Sequence, residues 1–262
     1  MRIALFQMNI IWEKKKENYQ SLEYRLKSLC EKIDLILLPE MSFTGFSMNT
    51  DLTKERNLET ASYMTGYAVK YHTAIGFGWV KDCGEKSENH YTVVDKEGRI
   101  ISDYTKIHPF SFSGEDKKFR GGRNIVFFEL EGIKFSTFIC YDLRFPEIFQ
   151  IASKESSAVV VPANWPRERR EHWMCLLQAR AIENQIYILA VNCVGKINGV
   201  NYTGDSCIIA PDGKIISKLS GKEGILEYDL NDDVYKVRSR FPVRKDRKED
   251  LYNKMSKEIG AD

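Results

Sequence analysis

A chain of 262 residues with 43% hydrophobic side chains is long enough to bury a substantial core, and one domain over residues 1–262 is expected rather than two small ones. Its 39 basic and 37 acidic side chains leave a net charge of +2 with no basic run along a face, which argues against nucleic acid and membrane surfaces and for a small-molecule partner. No stretch approaches the ~20 apolar residues that span a bilayer, so transmembrane classes are set aside.

The opening run Ile3-Ala4-Leu5-Phe6 belongs to a strand expected over residues 2–9, and it lacks the basic lead and cleavage site of a secretory signal. Six cysteines (Cys30, Cys83, Cys140, Cys175, Cys193, Cys207) show no C-x-x-C spacing, so reduced thiols and a cytoplasmic location are expected. Tyr19, Leu22, Leu26 and Leu29 fall on one helical face, and residues 33–38 form a buried parallel-type strand. That is a β-α-β unit, and it ends in Leu37-Leu38-Pro39-Glu40.

The same order returns later. Residues 134–140 are expected as a strand, 144–152 as a short helix and 158–162 as another apolar strand. Leu37-Leu38-Pro39-Glu40 has its counterpart in Val160-Val161-Pro162-Ala163. The run DKEGRIIS from Asp95 echoes PDGKIIS from Pro211, each a Gly-containing hairpin turn. A helix from near Arg167 to near Asn184 carries Trp173, Leu176, Leu177 and Ala181 on one face. Two related halves without a low-complexity linker imply two similar sheets face to face with helices outside, an α/β fold built as a four-layer α-β-β-α sandwich.

Chemistry concentrates at two strand ends and at one lysine between strands, a place where lysine is ordinarily a surface residue. The run Phe138-Ile139-Cys140-Tyr141-Asp142 passes from strand into helix, a place where a nucleophile is exposed and backbone N–H groups face a developing negative charge. Burial is the ordinary role of a free cysteine, and the other five are given it. Position separates Cys140 from them, because ligands of open α/β sheets bind at the C-terminal ends of strands. A thiol of pKa about 8.5 needs a base and a stabilising cation. Glu40 ends an apolar strand and is followed by an apolar loop, Ser42 to Phe46, while Lys106 lies in the largely apolar Tyr104-Thr105-Lys106-Ile107-His108. His108 supports a competing Cys–His pair, although no histidine is followed by an obvious orienting Asn or Asp.

With these fragments the chain resembles the nitrilase, or carbon–nitrogen hydrolase, superfamily over nearly its full length, and within it the omega-amidases. The resemblance rests on Glu40 in LLPEM, Lys106 in YTKIHPF and Cys140 in ICYDLRFPE. It rests also on the later pieces PANWP from Pro162, ARAIENQ from Ala179 and YTGDS from Tyr202. It implies a Glu40–Lys106–Cys140 catalytic triad and a second glutamate at Glu115 that positions substrate and water. Departures are Pro109 after the histidine and a short loop before Glu115.

The resemblance implies hydrolysis of the terminal amide of small 2-oxo acids such as 2-oxoglutaramate, through a cysteine thioester, with no metal or cofactor. Another amidase branch, acting on aliphatic amides or carbamoyl β-amino acids, is the alternative, and a non-catalytic small-molecule binding protein is the different class. Lys106 lowers the cysteine pKa and an ionised Glu40 raises it, so a thiol–carboxylate and a thiolate–acid pair both satisfy the charges. The backbone N–H of Tyr141 is a candidate for the oxyanion. Asn164 and Trp165, after the second Val-Val-Pro end, are candidate substrate-binding residues, with a core role for Trp165 as the alternative. Arg167, Arg169 and Arg170 stand at a helix start, where cations oppose the dipole. Pairing with the interleaved Glu168 and Glu171 is the plainer account of them than recruitment of a carboxylate. The resemblance also implies a homodimer formed through helices near Phe145, Ile148 and Phe149 and the RAIEN helix.

Overall fold

The computed structural model describes residues 1–29, 32–231 and 233–259, so Cys30 lies outside the described residues. The first half runs β1 (Arg2–Gln7), α1 (Lys15–Lys27), β2 (Leu35–Leu37), the single turn α2 (Thr50–Thr53), α3 (Glu59–Tyr71), β3 (Ala74–Asp82), β4 (Ser87–Val94) and β5 (Ile100–Thr105). A short α4 (Glu115–Lys118) leads to β6 (Phe127–Leu130), β7 (Ile133–Thr137), α5 (Pro146–Ala152), β8 (Ala158–Ala163), α6 (Arg170–Asn184) and β9 (Tyr187–Asn192). The chain continues through β10 (Val194–Ile197), β11 (Val200–Ile209), β12 (Ile215–Ser220), β13 (Gly224–Asp229), α7 (Val234–Arg240) and α8 (Glu249–Ile259).

The first sheet has the order β13-β1-β2-β3-β4-β5, and the second runs β10-β11-β9-β8-β7-β6 with β12 also on β11. In the first sheet β1, β2 and β3 are parallel, β4 and β5 follow antiparallel, and β13 flanks β1 antiparallel. The second repeats this with β7, β8 and β9 parallel, β11 and β12 antiparallel, and β6 flanking β7. Chain duplication is therefore visible in strand direction as well as in sequence.

Register makes the correspondence residue by residue. Leu37 lies between Leu5 and Gly76, and Val160 lies between Thr137 and Leu189. Counting on from these, Pro39 matches Pro162 as the paired sequence motifs suggest, and Met8 matches Cys140. The two hairpins match as well. Gly98 (φ +82°) and Gly213 (φ +86°) supply the left-handed turn residue. A Cβ on Gly98 would sit 3.0 Å from Thr65 Cγ2 in α3, and one on Gly213 would sit 2.3 Å from Ile182 Cγ1 in α6. Each turn is thus seated on the outer helix of its own half.

Strand alternation explains why both faces of each sheet are covered. Ile3 and Leu5 of β1 share one cluster with Phe135 and Val160 of the second sheet, while Ala4 and Phe6 point the other way, against Tyr19, Leu22 and Leu26 of α1. In the second half Trp173, Leu177 and Ala181 of α6 are buried, with Leu176 at the margin. The four layers follow from these two periodicities.

Several boundaries differ from expectation, each for a local reason. The strand expected over 134–140 ends at Thr137, because β8 pairs with it only from Phe135 to Thr137 and Phe138 then donates once to the Val160 carbonyl. The helix expected from 144 begins at Pro146, whose missing N–H costs nothing at a first helical position. The helix expected from Arg167 is a 3-10 turn over Arg167–Arg169 and becomes α-helical at Arg170. The first strand stops at Gln7 rather than residue 9, the second spans only Leu35–Leu37, and Leu29 lies past the end of α1. Among the described residues no helix is long and apolar enough to cross a membrane.

Candidate active site

Cys140 opens a 3-10 turn (Cys140–Arg144) three residues beyond β7, and its φ is +48°. A left-handed conformation costs a residue with a Cβ about 1–2 kcal/mol, so the surroundings must impose it. Asp142, fully buried, does so. Its Oδ2 accepts the Ile139 N–H at 3.0 Å and the Tyr104 hydroxyl at 2.8 Å. Its Oδ1 accepts the His108 N–H at 2.9 Å and lies 2.8 Å from His108 Nδ1. One carboxylate therefore locks the cysteine turn and fastens it to the segment that carries Lys106.

Glu40, Lys106 and Glu115 are essentially inaccessible to solvent and meet in one network. Lys106 Nζ donates to Glu40 Oε1 at 2.9 Å and to Glu115 Oε2 at 2.8 Å. Asn89 Nδ2 lies between the same two carboxylates, 2.8 Å from Glu40 Oε1 and 3.1 Å from Glu115 Oε1. The second half holds Glu40 from the other side. The Asn164 N–H reaches Glu40 Oε2 at 3.0 Å, and Asn164 Nδ2 donates to the Glu40 carbonyl at 2.6 Å. Gly78 admits this packing, since a Cβ there would lie 2.3 Å from the Met41 nitrogen and 2.9 Å from the Glu40 carbonyl carbon. Phe110 fixes Glu115 through its backbone N–H.

Burial opposes the Lys106 cation, and the Glu115 and Glu40 carboxylates outweigh it, so the ammonium is held well above its ordinary range. Glu115 is pushed up by burial, against the pull of Lys106 and with the help of the Glu40 charge. The two carboxylates thus raise Lys106, while burial first and the neighbouring Glu40 charge second raise Glu115. Burial, reinforced by Glu40, raises the Cys140 thiol well above 9, and Lys106 offsets this only in part. A thiol raised in this way calls for a nearby base to take its proton before sulfur can attack.

A cavity of about 480 Å³ opens onto Cys140 and Lys106, within the ~300–1,000 Å³ typical of small-molecule sites. The candidate residues Tyr141, Asn164 and Trp165 line it, together with Phe46, Phe110 and Tyr202. Trp165 is also 4% exposed and packs on Trp173, so its pocket and core roles coexist. Glu40 and Glu115 lie behind Lys106. His108 is not among the lining residues. The structure gives it the orienting acid that its neighbours in sequence lack, Asp142, but that bond and stacking on Phe145 at 3.7 Å turn the ring to a structural task. Among the described residues no group of three or more His, Cys, Asp or Glu side chains is placed to hold a metal ion.

The three clustered arginines separate. Arg170 is bound by Asp205, at 2.6 and 2.9 Å, Arg167 is exposed, and Arg169 turns onto Phe110 and Phe112 at the cavity. The expected pairing partners, Glu168 and Glu171, are replaced by an aspartate 35 residues away. Sequence reasoning missed Asn89, Asp142 and Arg144. Asn89 had a signal: alternation places it on the face of Tyr91 and Val93, both fully buried, and a polar residue on an apolar face needs partners.

The carbon–nitrogen hydrolase family model matches residues 2–239. The chain belongs to the carbon–nitrogen hydrolase family. It is 35% identical over 257 residues to the 2-oxoglutaramate amidase of Bacillus subtilis (strain 168), covering 95% of this chain and 98% of that protein. Omega-amidase YafV of Escherichia coli (strain K12) is 31% identical over 249 residues, 94% of this chain and 96% of the relative. Among solved structures, XC1258 from Xanthomonas campestris, a CN-hydrolase superfamily protein with an arsenic adduct in its active site, superposes with a TM-score of 0.89. That match has 28% identity and covers 94% of this chain and 97% of XC1258. For a member of this hydrolase family, the sandwich and the Glu40–Lys106–Cys140 neighbourhood are one finding seen at two scales.

Proposed function

We propose that residues 1–262 form a single hydrolase domain that acts as an omega-amidase, releasing ammonia from the terminal amide of small 2-oxo acids such as 2-oxoglutaramate and 2-oxosuccinamate. The observation that carries the reading is the buried Glu40–Lys106–Glu115 network at the floor of the cavity that Cys140 lines. End-to-end similarity to a 2-oxoglutaramate amidase and an omega-amidase supports the substrate class.

In this reading Glu40 takes the Cys140 proton and sulfur attacks the amide carbon, the carbonyl π pair moving to oxygen. Lys106 and the Tyr141 N–H, at the start of the 3-10 turn, stabilise that oxyanion. Collapse breaks the C–N bond, and the proton held by Glu40 leaves with ammonia. A water then gives a proton to Glu40 and attacks the thioester, and the departing sulfur recovers a proton to restore the thiol. The sum is amide plus water to acid plus ammonia. Glu115 positions Lys106, while Asn164 holds Glu40 against the scissile group and Trp165 walls the cavity.

Free thiols at Cys83, Cys140, Cys175, Cys193 and Cys207 support a reducing, cytoplasmic setting. A homodimer is proposed from family membership, with sedimentation at micromolar concentration as its test. Within the monomer Phe149 packs on Phe138 and Phe145 on His108, so those rings are not free for a partner, whereas Ile151 and Ile182 are about half exposed nearby.

Ammonia release across an amide and nitrile series tests the substrate reading. Efficient turnover of 2-oxoglutaramate with little activity on aliphatic nitriles is expected. Preference for a carbamoyl β-amino acid or a simple aliphatic amide would move the enzyme to another branch of the family.

A further inference from the structure

We infer that Arg169 binds the substrate carboxylate and sets the enzyme's preference for anionic over neutral amides. This rests on the omega-amidase reading for the reaction, and it adds the group that recognises the far end of the substrate.

Arg169 closes the 3-10 turn that precedes α6 and lines the cavity that Cys140 opens into. Its guanidinium carbon lies 5.6 Å from the Phe110 ring centre and 5.3 Å from that of Phe112. Among the described residues its guanidinium makes no hydrogen bond or ion pair. The contrast with Arg170 is direct, because that neighbour spends its fork on Asp205. A planar cation held by aromatic faces keeps its N–H edge available, and that edge matches a carboxylate in a bidentate pair.

The mounting of this arginine is built rather than incidental. Trp165 Nε1 donates to the Arg169 carbonyl at 2.7 Å, which fixes the turn from the cavity wall. Phe110 is tied to Glu115, the partner of Lys106, through its backbone N–H, and its ring packs 4.7 Å from Tyr141 beside Cys140. The cation and the sulfur are therefore positioned by one connected set of residues. Arg144, 5.0 Å over Trp165, adds positive charge to the same wall but is partly engaged with His172 Nδ1 at 3.3 Å. Glu168, an exposed acid, is the opposing charge among the lining residues. A short ω-amide can reach across such a cavity, presenting its amide to Cys140 and its carboxylate to Arg169.

The test compares three amides of equal chain length. 2-Oxoglutaramate carries carboxylate and oxo group, glutaramate keeps the carboxylate alone, and pentanamide has neither. The native enzyme should favour both anions over pentanamide. Arg169→Met should lower kcat/KM for both anions by about 10- to 100-fold, mainly through KM, and leave pentanamide unchanged, as expected for loss of a charge-assisted pair. Arg169→Lys should recover part of the loss, since it keeps the charge without the fork. Phe112→Ala, at a ring that is 81% exposed, should give a smaller loss of the same selectivity and guards against a misfolded arginine variant. An equal fall for all three amides in these variants, unchanged selectivity, or a native enzyme indifferent to the carboxylate would overturn the assignment. If the native enzyme prefers glutaramate and rejects the 2-oxo acid, the carboxylate site stands and the omega-amidase reading falls.

Discussion

Met8 and Cys140 occupy matching places after the first parallel strand of each half, yet they meet different fates. Met8 is 2% exposed at negative φ and packs with Phe6 and Tyr19, whereas Cys140 is forced to φ +48° at the cavity. The second parallel strands divide the other way. The first half places Glu40 after its proline, and the second places Ala163 there, followed by Asn164. A duplicated scaffold thus contributes the sulfur from one copy and the acid from the other, and the unused counterparts revert to packing. What differs is the polar anchoring: Asp142 holds the cysteine turn, and Asn164 reaches across to clamp Glu40.

The largest break in this comparison is Cys140→Ala, which should abolish ammonia release because the covalent route has no other nucleophile. Glu40→Gln keeps the shape and removes the proton acceptor, and single-turnover kinetics should show a loss of about 10²–10⁴-fold. Lys106→Met should cost about 10²–10³-fold in kcat. By leaving Glu40 and Glu115 buried without their cation it should also destabilise the fold by about 3–5 kcal/mol, read from denaturant midpoints.

The raised Cys140 pKa predicts a pH signature. Alkylation of Cys140 by iodoacetamide should be slow at neutral pH and keep rising through pH 9 without a plateau. The unfolded chain loses this proton first as pH rises. The linked stability is therefore complete below the ordinary thiol pKa and is lost only as pH climbs toward the folded value. A thiolate plateau near neutrality would mean that Lys106, not Glu40, dominates the sulfur. The smallest effect belongs to the counterpart: Met8→Leu should leave kcat intact and cost under about 1.5 kcal/mol. A loss of activity there comparable to that at Cys140 would end the asymmetry argument.

Much of this was legible in the sequence where the signal is local. The hairpin turns at Gly98 and Gly213, the apolar run of β1 and the paired proline motifs depend on neighbours a few residues apart; the turns fall where expected, while β1 and β2 are shorter than expected. The convergence of Glu40, Lys106 and Glu115 was legible only through family resemblance, since nothing in spacing says that residues 40, 106 and 115 meet. Asn89 advertised its inward face but not its partners. The fate of Arg167, Arg169 and Arg170 was hidden because a 3-10 turn rotates side chains by a different angle from an α-helix, and that turn depends on the Trp165 bond to the Arg169 carbonyl. Asp142 stands two residues after the cysteine, but its contacts to Tyr104 and His108, distant in the chain, leave no mark in the local sequence.

The central claim is covalent attack by Cys140 within reach of Glu40. Rapid acid quench of the native enzyme with 2-oxoglutaramate, followed by peptide mass spectrometry, tests it most directly. The account predicts a transient acyl adduct on the peptide containing Cys140 that forms and decays at catalytically competent rates. Ammonia release at full rate without any such adduct, or an adduct confined to another cysteine, would contradict it.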